Sequence, residues 1–286
     1  MKIAFLASGH LGLRSLEAIA DHFIPSLIAT DSKSGGIIKF ALKNRIPLYK
    51  GNPREGRLSK FAAGLVFDLI LSVNYLFIIE SDVINLSKYA INLHGSLLPK
   101  YRGRTPHVWA IINNEIETGI TAHFIDEKCD TGDIIFQKII EIKIQDTGAS
   151  ILKKYEEVYP GMIIEILNGI KSGSLKRVKQ DETKATFFEK RTPLDGQINW
   201  NWHKERIYNW IRAQSYPYPG AYTYYNNEKV IIDEVAFSDF GYSQSFINGL
   251  ILNDHPTIIV KTPNGAVELR VIRNPGIMFK TGEVLK

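Results

Sequence analysis

The sequence predicts an α/β protein, a doubly wound sheet of mostly parallel strands followed by a small β-rich C-terminal domain. Three observations predict it. In the first third, apolar runs of strand length alternate with segments whose apolar residues recur at helical spacing. A polar stretch, residues 171–195, then interrupts the pattern. Beyond Pro217 only short β-like runs follow, separated by the turn signals Asn226-Asn227, Asn248-Gly249 and Asn264-Gly265.

The elements follow in order. Lys2 to Ala7 is a short apolar run that stops at Ser8-Gly9-His10, a turn signal. Leu13, Leu16, Ile19 and Ala20 then repeat at helical spacing. Ile24 to Thr30 reads as a second strand, Gly36 to Asn44 as a short helix and Ile46 to Tyr49 as a short edge strand. Asp68 to Val73 and Ala90 to Leu93 read as buried strands. Such alternation implies right-handed crossovers and a Rossmann-like arrangement, in which ligands bind beyond the carboxyl ends of the strands. That rule singles out Ser8 to His10, Asn74 to Phe77 and Asn92 to Ser96.

Thr118 to Ile125 and Ile134 to Ile144 read as strands around a turn, Asp126 to Asp133. Ser150 to Ile170 is a long helix, with Pro160-Gly161 as the expected kink or weak point. Lys204 to Arg212 makes one more short helix. The expected division is a catalytic domain over residues 1–200 and a partial, OB-like β domain over residues 201–286.

Composition narrows the function. Of 286 residues, 44% are apolar and 23% charged, so the chain buries a real core and is not disordered. Net charge is +5, spread too thinly over this length to argue for nucleic acid by itself. Cys129 is the single cysteine, which excludes an intramolecular disulfide and speaks against a Cys-based zinc site. No metal is expected. The first apolar run is too short for a signal peptide, and Leu65 to Ile79 is too short to span a bilayer. The expectation is a soluble, cytoplasmic protein without a membrane partner.

The most informative stretch runs from Ile91 to Gly103. Asn92 and His94 are two apart near a strand end, so both side chains face the same side. An amide and an imidazole together can hold a developing oxyanion and manage a proton. Lys100, Arg102 and Arg104 follow, a cationic cluster suited to a phosphate or carboxylate. By itself an Asn-x-His pair is as readily a strand end and its turn. The loop Ser8-Gly9-His10 opens a helix and is a candidate for substrate phosphate. A lone Gly-x-x-Gly is a weak signal.

The whole string is more specific. Asn92-x-His94, then Ser96-Leu97-Leu98-Pro99-x-x-Arg102-Gly103, resembles the signature of the 10-formyltetrahydrofolate-dependent formyltransferases, among them methionyl-tRNA formyltransferase and the sugar N-formyltransferases. The match continues through Thr105-Pro106, Glu117 to Thr121 and Asp130 to Ile134. The resemblance implies the formyltransferase fold and a catalytic triad at Asn92, His94 and Asp130. It implies attack of an amine on the formyl carbon of the donor. Asn92 and a protonated His94 would stabilise the oxyanion, and Asp130 would pair with His94 and help take a proton. Cys129, beside Asp130, is a bystander in that chemistry. The resemblance also implies that 10-formyltetrahydrofolate lies between Asn74, Tyr75, Leu76 and Phe77 on one side and Ile125, Asp126 and Lys128 on the other, with Leu97 and Leu98 nearby. The four leucine and phenylalanine side chains serve as readily in plain core packing.

Three features lean toward a nucleotide sugar rather than methionyl-tRNA. Only Asp31 to Gly36 lie between the second strand and its helix, where the tRNA enzymes carry a basic insertion. The tail carries no clustered Lys/Arg stripe and is near neutral. The segments Phe187 to Pro193, Ile198 to Trp200 and Arg212 to Tyr222 resemble enzymes that formylate UDP-, dTDP- or GDP-linked 4-amino sugars. Trp200 and Tyr222 are candidate platforms for a base, with packing between the domains as the alternative. The expected reaction is formylation of the 4-amine of a nucleotide-linked, most readily dTDP-linked, 4-amino-4,6-dideoxy sugar. Its product would enter surface-polysaccharide (O-antigen) synthesis. Methionyl-tRNA formylation and a non-catalytic folate- or nucleotide-binding role stand as alternatives, and a homodimer is expected from the resemblance.

Overall fold

The structure, a computed structural model, describes residues 1–274 and 276–286. In chain order the elements are β1 (Ile3–Ala7), α1 (Gly9–Ile19), β2 (Leu27–Thr30), α2 (Gly35–Lys43), β3 (Leu48–Lys50), α3 (Arg57–Phe61), β4 (Phe67–Val73), α4 (Ser81–Ile84), β5 (Ser87–His94), β6 (Arg102–Gly103), α5 (Pro106–Ile112), β7 (Glu117–Phe124), β8 (Ile134–Glu141), α6 (Gly148–Ser172), β9 (Phe187–Phe188), α7 (Lys204–Gln214), β10 (Ala221–Tyr225), β11 (Glu228–Ser238), β12 (Ile251–Asn253), β13 (Ile258–Thr262) and β14 (Gly265–Ile272). The chain forms two compact units. The first comprises Met1–Pro106, Thr118–Ile140 and Leu152–Phe188; the second comprises His107–Glu117, Glu141–Ile151 and Glu189–Lys286.

The first unit is built on a seven-stranded sheet of order β3-β2-β1-β4-β5-β7-β8. Strands β1 to β5 pair in parallel, and β7 runs antiparallel to β5. Every residue of β1 and β2 is buried, as expected of parallel strands covered on both faces. On one face Leu6, Leu27, Phe67 and Ile70 pack with Leu58 and Val83, which come from the short helices α3 and α4. Those two helices, and α5, are only five, four and seven residues long. Too short to show a repeated apolar stripe, they went unpredicted.

Helix α6 runs without a break through Pro160 over 25 residues. The proline removes one hydrogen bond, yet Tyr155, Tyr159, Met162, Ile163 and Ile166 are all buried and hold the helix by packing. Tyr155 and Tyr159 also donate their hydroxyls to the carbonyls of Gly95 and Leu93, just where β5 ends. Gly95 is required there, since a Cβ would lie 2.7 Å from the Tyr155 ring.

The second unit carries a five-stranded antiparallel sheet of order β10-β11-β14-β13-β12. The β10–β11 turn uses Asn226 and Asn227, both at positive φ, as a two-residue hairpin demands. Strands β10 and β12 are the edges, and the C-terminal residues reach both. Lys286 exchanges hydrogen bonds with Tyr224, while Leu285 and Glu283 bond to Gly249 and Ile251. Helix α7 buries Ile207, Trp210 and Ile211. Among the described residues no helix is long and apolar enough to cross a membrane.

Candidate active site

The site is made where three strands of the first unit end. Ser8 follows β1, Asn74 follows β4, and Asn92 and His94 close β5. Asn74 sits at φ +52° and donates its side-chain amide to the Ser8 carbonyl at 3.0 Å, tying two strand ends together. In the antiparallel β5–β7 register Asn92 lies opposite His123, and His94 opposite Thr121. Directly opposed residues project to one face. So four polar side chains share one face where the two strands pair.

Their hydrogen bonds fix the ring states. The His123 Nδ1 lies 2.8 Å from the Phe124 carbonyl, which only accepts, so Nδ1 carries the hydrogen. Nε2 is then the acceptor for the Asn92 amide at 3.1 Å. His94 gives its Nε2 hydrogen to the Tyr101 carbonyl at 2.8 Å, which leaves Nδ1 facing Asp130 Oδ1 at 3.5 Å. The same oxygen lies 3.6 Å from His123 Nε2. The other oxygen of Asp130 accepts from the Gly103 amide at 3.0 Å. Burial by itself would raise the Asp130 carboxyl, but His94 and the Gly103 amide outweigh it and hold it well below the usual carboxylate range. Both ring nitrogens of His94 are thus engaged. The second hydrogen of the Asn92 amide is the donor left for a developing oxyanion.

The turn that carries Asp130 is tightly constrained. Asp130 is at φ +56°, a region few side-chain-bearing residues adopt. Gly132 is buried against β7, where a Cβ would meet the Phe124 oxygen at 1.9 Å. Asp126 closes the turn from inside by accepting from the Thr131 hydroxyl and the Lys128 amide. The Cys129 residue is exposed, but its thiol donates to Asp130 at 3.3 Å, and partial desolvation beside that carboxylate pushes it up to about 12. It stays a thiol at neutral pH.

Asn92, His94 and Asp130 are therefore brought together. His123 joins them and was missed. The signal was available: His123 and Thr121 alternate in an Ile/Ala/Phe strand just as Asn92 and His94 do in theirs.

Other predicted residues are placed differently. Leu98 is buried and Leu97 packs on Gly119, so both belong to the sheet packing. Leu76 is exposed, as is the neighbouring Ile78, while Tyr75 and Phe77 pack edge to face at 5.4 Å. This loop after β4 offers apolar surface of the kind a flat heterocycle covers. Ile125 is tied to β5 through the Ala90 carbonyl.

Three corrections concern the expected substrate site. Arg102 is buried and fully committed to Gln180 and Glu182, so it is not a free cation. Arg104 donates to the Leu76 carbonyl and anchors the β4 loop; Lys100 remains exposed. At the first loop the Gly9 amide is already taken by Ser34 Oγ at 2.8 Å, and Ser34 is held by Asp31. His10 is exposed, 3.5 Å from Glu156. Trp200 and Tyr222 belong to the second unit. Both rings are buried, with Trp200 donating to Thr223 at 2.9 Å and Tyr222 to the Leu194 carbonyl at 3.0 Å. Neither presents a free face to a base.

Comparison with known proteins adds the following. Residues 1–167 match the family described as "Formyl transferase", and residues 190–279 match "Formyl transferase, C-terminal domain". A curated relative, the "Bifunctional polymyxin resistance protein ArnA" of Wigglesworthia glossinidia brevipalpis, is 34% identical over 266 residues, which is 90% of this chain and 40% of the relative. The chain thus spans less than half the length of that protein. Among solved structures, an N-formyltransferase of Helicobacter canadensis, in complex with folinic acid and dTDP-3-aminofucose, superposes with a TM-score of 0.75 at 22% identity, covering 94% of this chain and 99% of that one. The sugar 3N-formyl transferase WlaRD, solved in the presence of dTDP and 5-N-formyl-THF, gives 0.74 at 24% identity, over 96% of this chain and 98% of that one. At these identities the likeness speaks for the fold.

Proposed function

Because the chain belongs to the formyl transferase family, we propose that it moves the formyl group of 10-formyltetrahydrofolate onto the 4-amino group of a nucleotide-linked 4-amino-4,6-dideoxy sugar. The observation that carries the reading is that one oxygen of Asp130 faces both His94 and His123, while Asn92 bonds to His123. When bound, 10-formyltetrahydrofolate supplies the carbon that is transferred, and the exposed apolar surface of Leu76 and Ile78 suits its ring.

The chain's own residues then have separable tasks. Asn92 offers an amide hydrogen to the oxygen that gains charge, and His123 keeps that amide aimed by accepting its other hydrogen. Asp130 faces His94 Nδ1 and is the base within reach of an incoming amine. Held far below the usual carboxylate range, it is ionised at every physiological pH. The acceptor's diphosphate is left to the exposed Lys100, since Arg102 is committed elsewhere.

A nucleotide sugar is favoured over tRNA by the short approach to α2, which starts at Gly35, only four residues after Asp31, and carries Lys33 as its single basic residue. The dTDP moiety is the first choice because two relatives of the same fold were solved with dTDP ligands. We place the reaction in the cytoplasm, in a homodimer, upstream of surface-polysaccharide assembly. The test is a panel of dTDP-, UDP- and GDP-linked 4-amino sugars, their 3-amino counterparts, and methionyl-tRNA, each with 10-formyltetrahydrofolate and scored by product mass. Formylation of a 4-amino nucleotide sugar supports the reading. Activity on methionyl-tRNA alone overturns it, and activity on the 3-amino compounds alone overturns the choice of amine.

A further inference from the structure

We propose that Gln180, together with Arg102, is a positioning residue for Asp130, so that the polar segment after α6 is part of the catalytic apparatus. This rests on the reading of Asp130 as the carboxylate of the site.

The turn at Asp130 leaves two carbonyls, those of Asp130 and Gly132, on the same side. Gln180 Nε2 donates to both, at 2.9 and 2.8 Å. Its orientation is not free. Gln180 Oε1 accepts from Arg102 Nε at 3.2 Å and from Nη2 at 2.8 Å. A guanidinium only donates, so a flipped amide would set donors against donors and an oxygen against two carbonyls. Arg102 is itself held by Glu182 through Nη1 at 2.9 Å and Nη2 at 2.7 Å. Burial keeps this fork rigid.

The same piece of chain holds Asp130 a second way. Gly103, next to Arg102, gives its amide to the Asp130 carboxylate. Strands β6 and β9 pair Arg102 with Phe187 and Gly103 with Phe188. Val178 and Ile134 exchange backbone bonds on the far side of the turn. Asp130 is therefore referenced at its backbone through Gln180 and at its side chain through Gly103, both from one local frame. The need is geometric. Asp130 Oδ1 lies 3.5 and 3.6 Å from two imidazoles, and its backbone is held at φ +56°. A relaxed turn would move the oxygen away from both rings.

The test uses the full chain, 10-formyltetrahydrofolate and the best acceptor of the panel. Gln180→Met keeps length and loses every hydrogen bond. Gln180→Glu keeps an acceptor for Arg102 but turns an oxygen onto the two carbonyls. Both are expected to lower kcat roughly 10- to 100-fold while each KM stays within about threefold. In an Asp130→Asn background, adding Gln180→Met is expected to slow turnover by less than about threefold, because Gln180 acts through Asp130. Wild-type kcat in either single variant, a loss carried by KM alone, or multiplicative losses in the double variant would each overturn the proposal. If Gln180→Met does not fold, Gln180→Glu carries the comparison. Full activity in Asp130→Asn overturns the site reading and this proposal with it. An inactive Asp130→Asn beside active Gln180 variants overturns only this proposal.

Discussion

Gly132→Ala is the sharpest perturbation of the site that touches no candidate catalytic group. An added Cβ would stand 1.9 Å from the Phe124 carbonyl oxygen, and real Cβ atoms stay beyond 3.0 Å of such neighbours. The turn or the strand must therefore give by about 1.1 Å, since both contacts are backbone and no side chain can swing away. The oxygen that moves is the one to which His123 Nδ1 donates, and the turn that moves carries Asp130. A misplacement of this size costs about 10²-fold in rate where geometry sets the reaction. Overpacking of this kind also costs about 1–3 kcal/mol of stability. The assay is steady-state kcat and KM on the best acceptor, with a thermal melt in parallel. A variant that folds and turns over at the wild-type rate would refute the argument that the turn's rigidity sets the site.

Three further outcomes are expected. Asn92→Ala and His94→Ala each lower kcat by orders of magnitude and leave the circular dichroism spectrum and melt intact; near-wild-type turnover in either removes it from the mechanism. Burial pushes the His107 imidazole down to about 3, so the unfolded chain takes up a proton below pH 6.5 and the folded chain does not. Stability is thus full above pH 6.5 and falls toward pH 3, by about 2 kcal/mol at pH 5. His107→Gln keeps an acceptor for Tyr218 and should flatten urea-melt stability between pH 6.5 and 5, whereas an unchanged slope would acquit His107. The Cys129 thiol, raised to about 12, should react with iodoacetamide at pH 8 far more slowly in the native protein than in urea. Equal rates would show that Asp130 does not hold it.

The parallel half of the sheet was legible because its strands are buried on both faces and read as unbroken apolar runs. Ile3 to Ala7 is the plainest case. The rule that ligands gather at strand ends then pointed to Ser8, Asn74 and Asn92 without any coordinates. What could not be read was partnership across the chain. Arg102 looks like a free cation in sequence, yet its partners lie 78 and 80 residues on. Trp200 and Tyr222 look like stacking platforms until Thr223 and the Leu194 carbonyl take their polar atoms. His123 was hidden for the opposite reason: a histidine in an apolar strand is ordinary until its cross-strand neighbour is known.

The β5–β7 register has a consequence for how such a chain can vary over evolutionary time. A slip of one residue would turn His123 away from Asn92. No tight hairpin sets that register, because β5 and β7 are separated by residues 95–116. It is pinned instead by Thr121, whose hydroxyl donates to the Ser96 carbonyl and accepts from the Leu98 amide and Gln137. The length of the intervening chain is thereby decoupled from the chemistry. Insertions at the turn near Asn114, where φ is already positive, should be inherited without loss of turnover. A loss of the Thr121 hydroxyl should not.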